Sequence, residues 1–382
     1  MKRFFVLSMV SVIVLAVFLG ACAPKVSPAT APVPAPEPRS ASAPQPIAAP
    51  TLTTEQKAWE EVVVAAKKEG TLTVYSYGWR GDIGTSIAKA FEQTYGIKIE
   101  VITGRGSEFI ERLKVEQRSG RMVADMFEGG TPHGVNIKKA GLTISSAGLP
   151  ALKDASAFVA SPLTPDPEGH VLAYNLFIYG PYVNTNLVKP GEEPKAWKDL
   201  LDPKWKGKMM FGNANISMEV YMQFWPLKAA GVVDLDYLKA LGSQDIMWTT
   251  GSVEDMQRLS RGERPLSIFG NPVDSGVPIL NGAPIRAIAM EPAMTASDIS
   301  LVAIKGGPHP NATKVLLNWL FTAEGQLAHN KPRGTSSILK GAPSFLPPAA
   351  DVKASRIVMS TPEILDDEAK SFNEKVMVKL WG

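Results

Sequence analysis

Segments with strand and helix periodicity alternate without a break from Thr53 to Gly141. In "TTEQKAWEEVVVAAKKEG", Thr53 and Gln56 have capping-box spacing, Trp59, Val62, Val63 and Ala66 share a helix face, and Gly70 suits the stop. The β-branched and aromatic strand "TLTVYSY" follows, then the helix "IGTSIAKAFEQTYG" ending at Gly96, then the alternating strand "IKIEVIT". "SEFIERLKVEQRSG" is helical again, with Phe109 and Leu113 spaced by a turn, and leads to the strand "ADMFEGG" and the helix "PHGVNIKKAG". Alternation of this kind builds a parallel sheet with helices on its faces, so the chain is expected to be an α/β protein. Ligands of such sheets collect beyond the carboxyl ends of the strands. The loops there are "SYGWRGDIG", "TGRGSEF" and "EGGTPHG".

The middle of the chain repeats the theme less regularly. "AYNLFIYGPYVNTNLV" is expected to be extended with a turn at Gly180-Pro181, "AWKDLLDPKWKGKMMFG" to be a helix and loop leading into a strand, and "SMEVYMQFWPLKAAG" to be a helix kinked by Pro226. "SVEDMQRLSRGE" fits a helix capped by Ser252, while "PLSIFG", "IRAIAM" and "DISLVAI" fit strands. "PNATKVLLNWLFTAEGQLAHN" supplies one or two helices, and Phe372, Val376 and Leu380 recur at helical spacing in the tail.

The start of the chain addresses location. A positive Met1-Lys2-Arg3, an apolar Phe4 to Phe18 and small residues at Leu19-Gly20-Ala21 precede Cys22, the single cysteine. The "LGAC" end resembles the lipobox of bacterial lipoproteins, which implies cleavage of residues 1–21 and lipidation of Cys22. The apolar run is also about as long as the shortest membrane-spanning helices, so an uncleaved anchor is the alternative. Residues 22–51 are rich in Ala, Pro and Ser and lack large apolar side chains, as a tether does. The formal charge of +3 loses two units if Lys2 and Arg3 are cleaved, leaving about +1, and no dense basic block is present, which argues against nucleic acid. About 330 residues remain after the tether, enough for two domains.

Catalytic motifs are missing. Gly84-Thr85-Ser86-Ile87-Ala88 lacks the second glycine of a nucleophile elbow, and there is no H-E-x-x-H. His133, His170, His309 and His329 have no metal-ligand spacing and are expected in loops or on helix surfaces. A carboxylate pair among 37 acidic residues stays open. "TGRGSEF" has Phe109 where a dinucleotide fingerprint needs its third glycine, but Arg105, Gly106 and Ser107 at a helix start suit an anion. Tyr77, Trp79 and Arg80 form a second candidate contact, and Gly130 with Thr131 a third; Ser107 and Thr131 are equally explained as helix caps.

Together, "EGTLTVYSY", "IAKAFEQTYGIKIEVITGRGSEFIERLKVEQRSGRMVADMF", "PKAWKDLLDPKWKGKMM" and "VAIKGGPHPNATKVLLNWLFTAEGQ" resemble the extracellular solute-binding proteins of ABC importers, in the branch typified by ferric-iron-binding proteins. The resemblance implies a type II periplasmic-binding-protein-like fold: two α/β lobes joined by crossing strands, with the ligand in the cleft and closure at a hinge. Lobe 1 would comprise residues 52–171 and 292–343 and lobe 2 residues 172–291, with 344–382 packing back as a tail. It also implies a monomer without enzymatic activity or cofactor, whose partners are a small solute and a membrane permease, held at the cell surface or in the periplasm through Cys22.

Ferric-binding members carry adjacent tyrosines after a strand equivalent to "PLSIFG", because phenolate is a hard ligand for Fe(III). Here the place is "GNPVDSG", with Asn271 and Asp274 and no tyrosine. With "GNANIS" (Asn213, Asn215, Ser217), these residues facing Arg80 and Arg105 would suit an organic anion. Ferric iron on other ligands, an exported hydrolase and a ligand sensor are the competing readings.

Overall fold

The computed structural model describes residues 52–217, 219–347, 355–359 and 371–381; Cys22 and the expected signal peptide and tether lie outside them. The first helix, α1 (Thr54–Glu69), starts in the expected capping box: the Thr53 hydroxyl accepts from the Gln56 amide at 3.2 Å and the Gln56 side chain accepts from the Thr53 amide at 2.8 Å. The alternation then continues as anticipated through β1 (Thr71–Ser76), α2 (Asp82–Tyr95), β2 (Lys98–Thr103), α3 (Gly106–Ser119), β3 (Met126–Gly130), α4 (Thr131–Lys139) and the short β4 (Thr143–Ile144). Strand β1 lies between β2 and β3, parallel to both. It is buried from Leu72 to Ser76, because helices cover the sheet on either side.

Strand β5 (Leu172–Asn184) joins the two halves of the sheet. The expected turn at Gly180-Pro181 does not occur. From Leu172 to Tyr179 the strand pairs with β10 (Met294–Ile304), and from Gly180 onward with β8 (Leu266–Gly270) and β9 (Ile285–Ala287). Pro181 is tolerated because the register with β8 shifts at that point, while its carbonyl still accepts from the Ile288 amide at 2.9 Å. Gly180 is required by close approach, since a Cβ there would stand 1.9 Å from Met294 Cε. Strand β10 returns antiparallel between β5 and β3. The main path of the 11-stranded sheet is β2-β1-β3-β10-β5-β8-β6-β7, where β6 is Met209–Gly212 and β7 Met247–Thr249.

Helices α5 (Glu219–Ala229), α6 (Leu235–Gly242), α7 (Ser252–Ser260) and α8 (Pro272–Leu280) belong to the second half, α9 (Pro310–Leu320) and α10 (Ala323–Arg333) to the first. Three expectations are corrected. The segment around Trp197 forms two 3-10 turns, Trp197–Leu201 and Pro203–Trp205, because Asp199 and Asp202 each bind amides of the adjoining turn. Helix α5 contains Pro226 without being interrupted by it. Gly251, at φ 134°, is the cap of α7, and Ser252 is its first helical residue.

The tail packs back as expected, but on a different face. Its short strand β11 (Ile357–Met359) adds to β10 in parallel, and residues 371–381 are helical with a π-turn at Asn373–Met377. The wider turn rotates the buried stripe, so Phe372, Met377 and Trp381 are inside while Val376 and Leu380 are half-buried. Trp381 meets the rings of Phe211, Phe224 and Trp248 and donates to the Leu238 carbonyl at 3.1 Å. The tail thus ends in the core of the second half.

Candidate functional site

Helix-bound loops at the ends of β1 and β3 converge on the place where β5 changes partners. The β1 loop is fixed from below. Glu128, at the end of β3, accepts from the Ser76 hydroxyl at 2.6 Å and the Gly78 amide at 2.8 Å through Oε2. Ser76 in turn accepts from the Trp79 amide at 2.8 Å, and the Trp79 indole donates to the Tyr174 hydroxyl at 3.0 Å. Arg333, in the last turn of α10, donates from Nη2 to the Gly78 carbonyl at 2.8 Å. Residue 78 must be glycine, because a Cβ would come within 2.5 Å of Arg333 Nη2 and 2.6 Å of Glu128 Oε1. Above this support Tyr77 is 51% exposed, with the Arg80 guanidinium 5.2 Å from its ring centroid.

The crossing strands supply the floor. Tyr179 hydrogen-bonds to Ser297 and packs its ring 5.1 Å from that of Phe269 at the end of β8. Burial raises its phenol to about 12, and the charges of Asp274 on α8 and Asp298 on β10, with the Tyr77 phenol, act on it as well. One phenol therefore senses groups from both halves of the molecule. Burial also raises the carboxyls of Asp274 and Asp298; a Ser252 hydroxyl bond opposes it at Asp274. The Thr131 hydroxyl lies beside Asp298 and eases its charge, yet makes no well-aligned hydrogen bond. Glu128, fully buried, is likewise held above the ordinary carboxylate range by desolvation, against the pull of the Arg333 charge.

The expected residues fall into three groups. Tyr77, Arg80, Gly130, Thr131, Asn271 and Asp274 lie at strand ends around this floor. Trp79 is corrected to a core residue: only 1% exposed, it supports the loop from beneath. Gly130 is the α4 cap and Thr131 its first residue, reversing the expected capping role. Arg105 and Ser107 are exposed at the start of α3, and Gly106 is buried where a Cβ would meet the His133 ring at 2.5 Å. In the second half, Asn213 accepts from the Asn215 amide at 2.8 Å, the Ser217 amide binds the Asn213 carbonyl at 2.8 Å, and Asn271 caps α8 by accepting from Val273 at 3.0 Å.

Glu128, Tyr179, Asp298 and Arg333 escaped the sequence reading because each belongs to a regular strand or helix and to no motif. His329 corrects the surface expectation for the histidines. It is fully buried against Tyr174, and burial and the nearby Arg333 charge hold its pKa well below the ordinary value. Among the described residues no group of three or more His, Cys, Asp or Glu side chains is placed to hold a metal ion, and no helix is long and apolar enough to cross a membrane.

Two α/β halves joined by β5 and β10, with polar loops facing each other across the joint, define a two-lobed binding protein. The model of the bacterial extracellular solute-binding protein family matches residues 86–358, and the chain belongs to that family. An uncharacterized protein of Haemophilus influenzae is 29% identical over 276 residues, 69% of this chain and 76% of that one. The periplasmic binding protein AfuA from Actinobacillus pleuropneumoniae, with exogenous fructose-6-phosphate bound, superposes with a TM-score of 0.60 at 21% identity over 82% of this chain and 99% of that one. Iron-bound HitA from Pseudomonas aeruginosa gives 0.63 at 21% identity over 80% and 99%. The type II periplasmic-binding-protein fold is therefore that of this chain, a solute-binding protein whose place is outside the cytoplasm.

Proposed function

We propose that the protein is the receptor of an ABC importer, capturing a small organic anion between its lobes by hinge closure and presenting it to a membrane permease. The observation that carries this reading is strand β5, which pairs with β10 up to Tyr179 and with β8 and β9 beyond it, so that the strand-end loops of both lobes meet at one joint. A cleft between domains, lined by a few convergent polar groups, is a favoured small-molecule site. Strands that cross between lobes are natural hinges. Lobe 1 comprises residues 52–171 and 292–343, lobe 2 residues 172–291, and the tail 344–382. The receptor works as a monomer, with Tyr77, Arg80, Arg105, Ser107, Thr131, Asn213, Asn215, Ser217, Asn271 and Asp274 at or near the cleft.

Iron on non-standard ligands is the weaker reading. Tyr174 is fully buried and bonded to Trp79, while Tyr77 is exposed, so the two do not form a phenolate pair. Thermal unfolding of the soluble chain with carboxylates, sugar phosphates, polyamines and metals tests the receptor reading. Ligand at 100 times its dissociation constant contributes about 2.7 kcal/mol of stability. Absence of any shift across the panel would remove the reading, and recovery of a chemically altered ligand would favour a hydrolase. We also propose lipidation at Cys22, tested by incorporation of a labelled fatty acid that Cys22→Ser abolishes.

A further inference from the structure

The loop described above is held by a buried guanidinium that keeps an unmatched donor. Arg333 is 9% exposed, its Nε has no hydrogen-bond partner, and it forms no ion pair with Glu128 although both flank Gly78. Its guanidinium lies 5.9 Å from the Phe177 ring centroid on β5, where Phe177 registers with Ser297, the partner of Tyr179. The next residue, Gly334, caps α10, and its carbonyl would stand 3.6 Å from a Cβ on Gly276 in α8. Arg333 therefore stands where the β1 loop, a crossing strand and a lobe 2 helix come together.

Buried charges are ordinarily paired, because desolvation without a partner is costly. Three features offset that cost here only in part: the negative end of the α10 dipole, the Gly78 carbonyl and the charge of Glu128. Glu128 makes no direct bond to the guanidinium, since Oε2 is committed to Ser76 and Gly78 and Oε1 has no hydrogen-bond partner. The remaining polar groups on the floor, Tyr179, Ser297, Asp274 and Asp298, are hydroxyls and carboxylates, suited to exchanging hydrogen bonds with hydroxyl groups.

We propose that Arg333 is the anion anchor of the cleft and that the solute is a hydroxylated organic oxyanion, its charged group on the guanidinium and its hydroxyls toward Tyr179 and Asp274. This rests on the receptor reading and narrows it: the anchor comes from the end of α10, and Arg80 and Arg105 are secondary. Phosphomonoesters and carboxylates present the same oxyanion chemistry to a guanidinium.

Titration calorimetry of the soluble chain with fructose 6-phosphate, gluconate, fructose and spermidine tests the assignment. At least one of the two anions binds, and fructose binds more weakly than its phosphate; which anion prevails identifies the oxyanion. Arg333→Gln weakens that anion about 10- to 100-fold, and Arg333→Lys gives an intermediate loss. An anion that binds Arg333→Gln as tightly as the wild-type chain overturns the anchor and leaves the receptor reading intact. So does a wild-type chain that binds spermidine or fructose but neither anion. Should Arg333→Gln fail to fold, less than a threefold loss in Arg333→Lys is the overturning result. A wild-type chain that binds no member of this set or of the broader panel removes the receptor reading and the anchor together.

Discussion

At the joint between the lobes, buried polar atoms of lobe 1 go unmatched: Glu128 Oε1, Thr131 Oγ1, His329 Nε2 and Arg333 Nε have no hydrogen-bond partner, and neither has Asn175 Oδ1 on the crossing strand β5. The corresponding strand-end loops of lobe 2 satisfy themselves. Asn213 binds Asn215, Asn271 binds Val273, Ser252 accepts from the Asn271 amide at 3.3 Å, and Thr249 donates to Asp255 at 2.6 Å. A buried group without a partner is costly, while a satisfied cap stabilises its helix. The difference teaches that the lobe 1 side of the joint keeps unmatched polar groups, whereas the strand-end loops of lobe 2 use theirs on their own caps; the unmatched atoms of lobe 2, such as Gln223 Oε1 and Arg264 Nε, lie outside those loops.

The largest expected effect tests the solidity of lobe 2. Trp381→Ala removes a buried indole from among Phe211, Phe224 and Trp248 and is expected to cost about 3–5 kcal/mol in urea unfolding. A loss below about 1 kcal/mol would mean that the tail is an accessory to that core. Asn271→Ala deletes the α8 cap and is expected to cost about 1 kcal/mol in urea unfolding. A loss below about 0.3 kcal/mol would mean that the lobe 2 loop is not held by its own caps.

Asp298 sharpens the comparison through pH. Burial holds its carboxyl above the ordinary 3.8 in the folded chain, so the stability it contributes is complete below that value and is lost as pH rises through the folded one. Asp298→Asn cannot ionise. Its unfolding free energy relative to the wild-type chain should therefore rise between about pH 4 and pH 7. Parallel pH profiles would place Asp298 in open solvent. The smallest effect is expected for Thr131→Val, which removes a hydroxyl that makes no well-aligned hydrogen bond and should change stability by less than about 0.5 kcal/mol. A loss above about 1 kcal/mol would restore to Thr131 a structural hydrogen bond and weaken the contrast between the lobes.

Much of lobe 1 was legible because its signals are local. The capping box at Thr53 and Gln56, the glycine stops at Gly70 and Gly96 and the buried run of β1 each act within a few residues, and each lies where the pattern put it. Lobe 2 was less legible where long-range contacts override local preference. Gly180-Pro181 has the composition of a turn, yet pairing with β8 and β9 keeps it extended, and the π-turn near Phe372 moved the buried face of the tail by one position. Near the joint, Tyr77, Arg80, Thr131 and Asp274 stood out in the sequence because they lie in or beside strand-end loops. Trp79 looked like a contact residue and became support because Tyr174, 95 positions away, captures its indole.

By itself the sequence determined the α/β alternation, the family, and the loops at which ligand would gather, since these follow from periodicity and from residues near one another in the chain. It also made a ferric tyrosine pair untenable after β8, because "GNPVDSG" contains no phenol. Only the tertiary structure decided which side chains meet. Glu128 and Arg333, 205 positions apart, flank one glycine because β3 and the end of α10 are brought to the same loop. The donor left unmatched there depends on burial and the distance between groups, and neither is written in any local stretch of the chain.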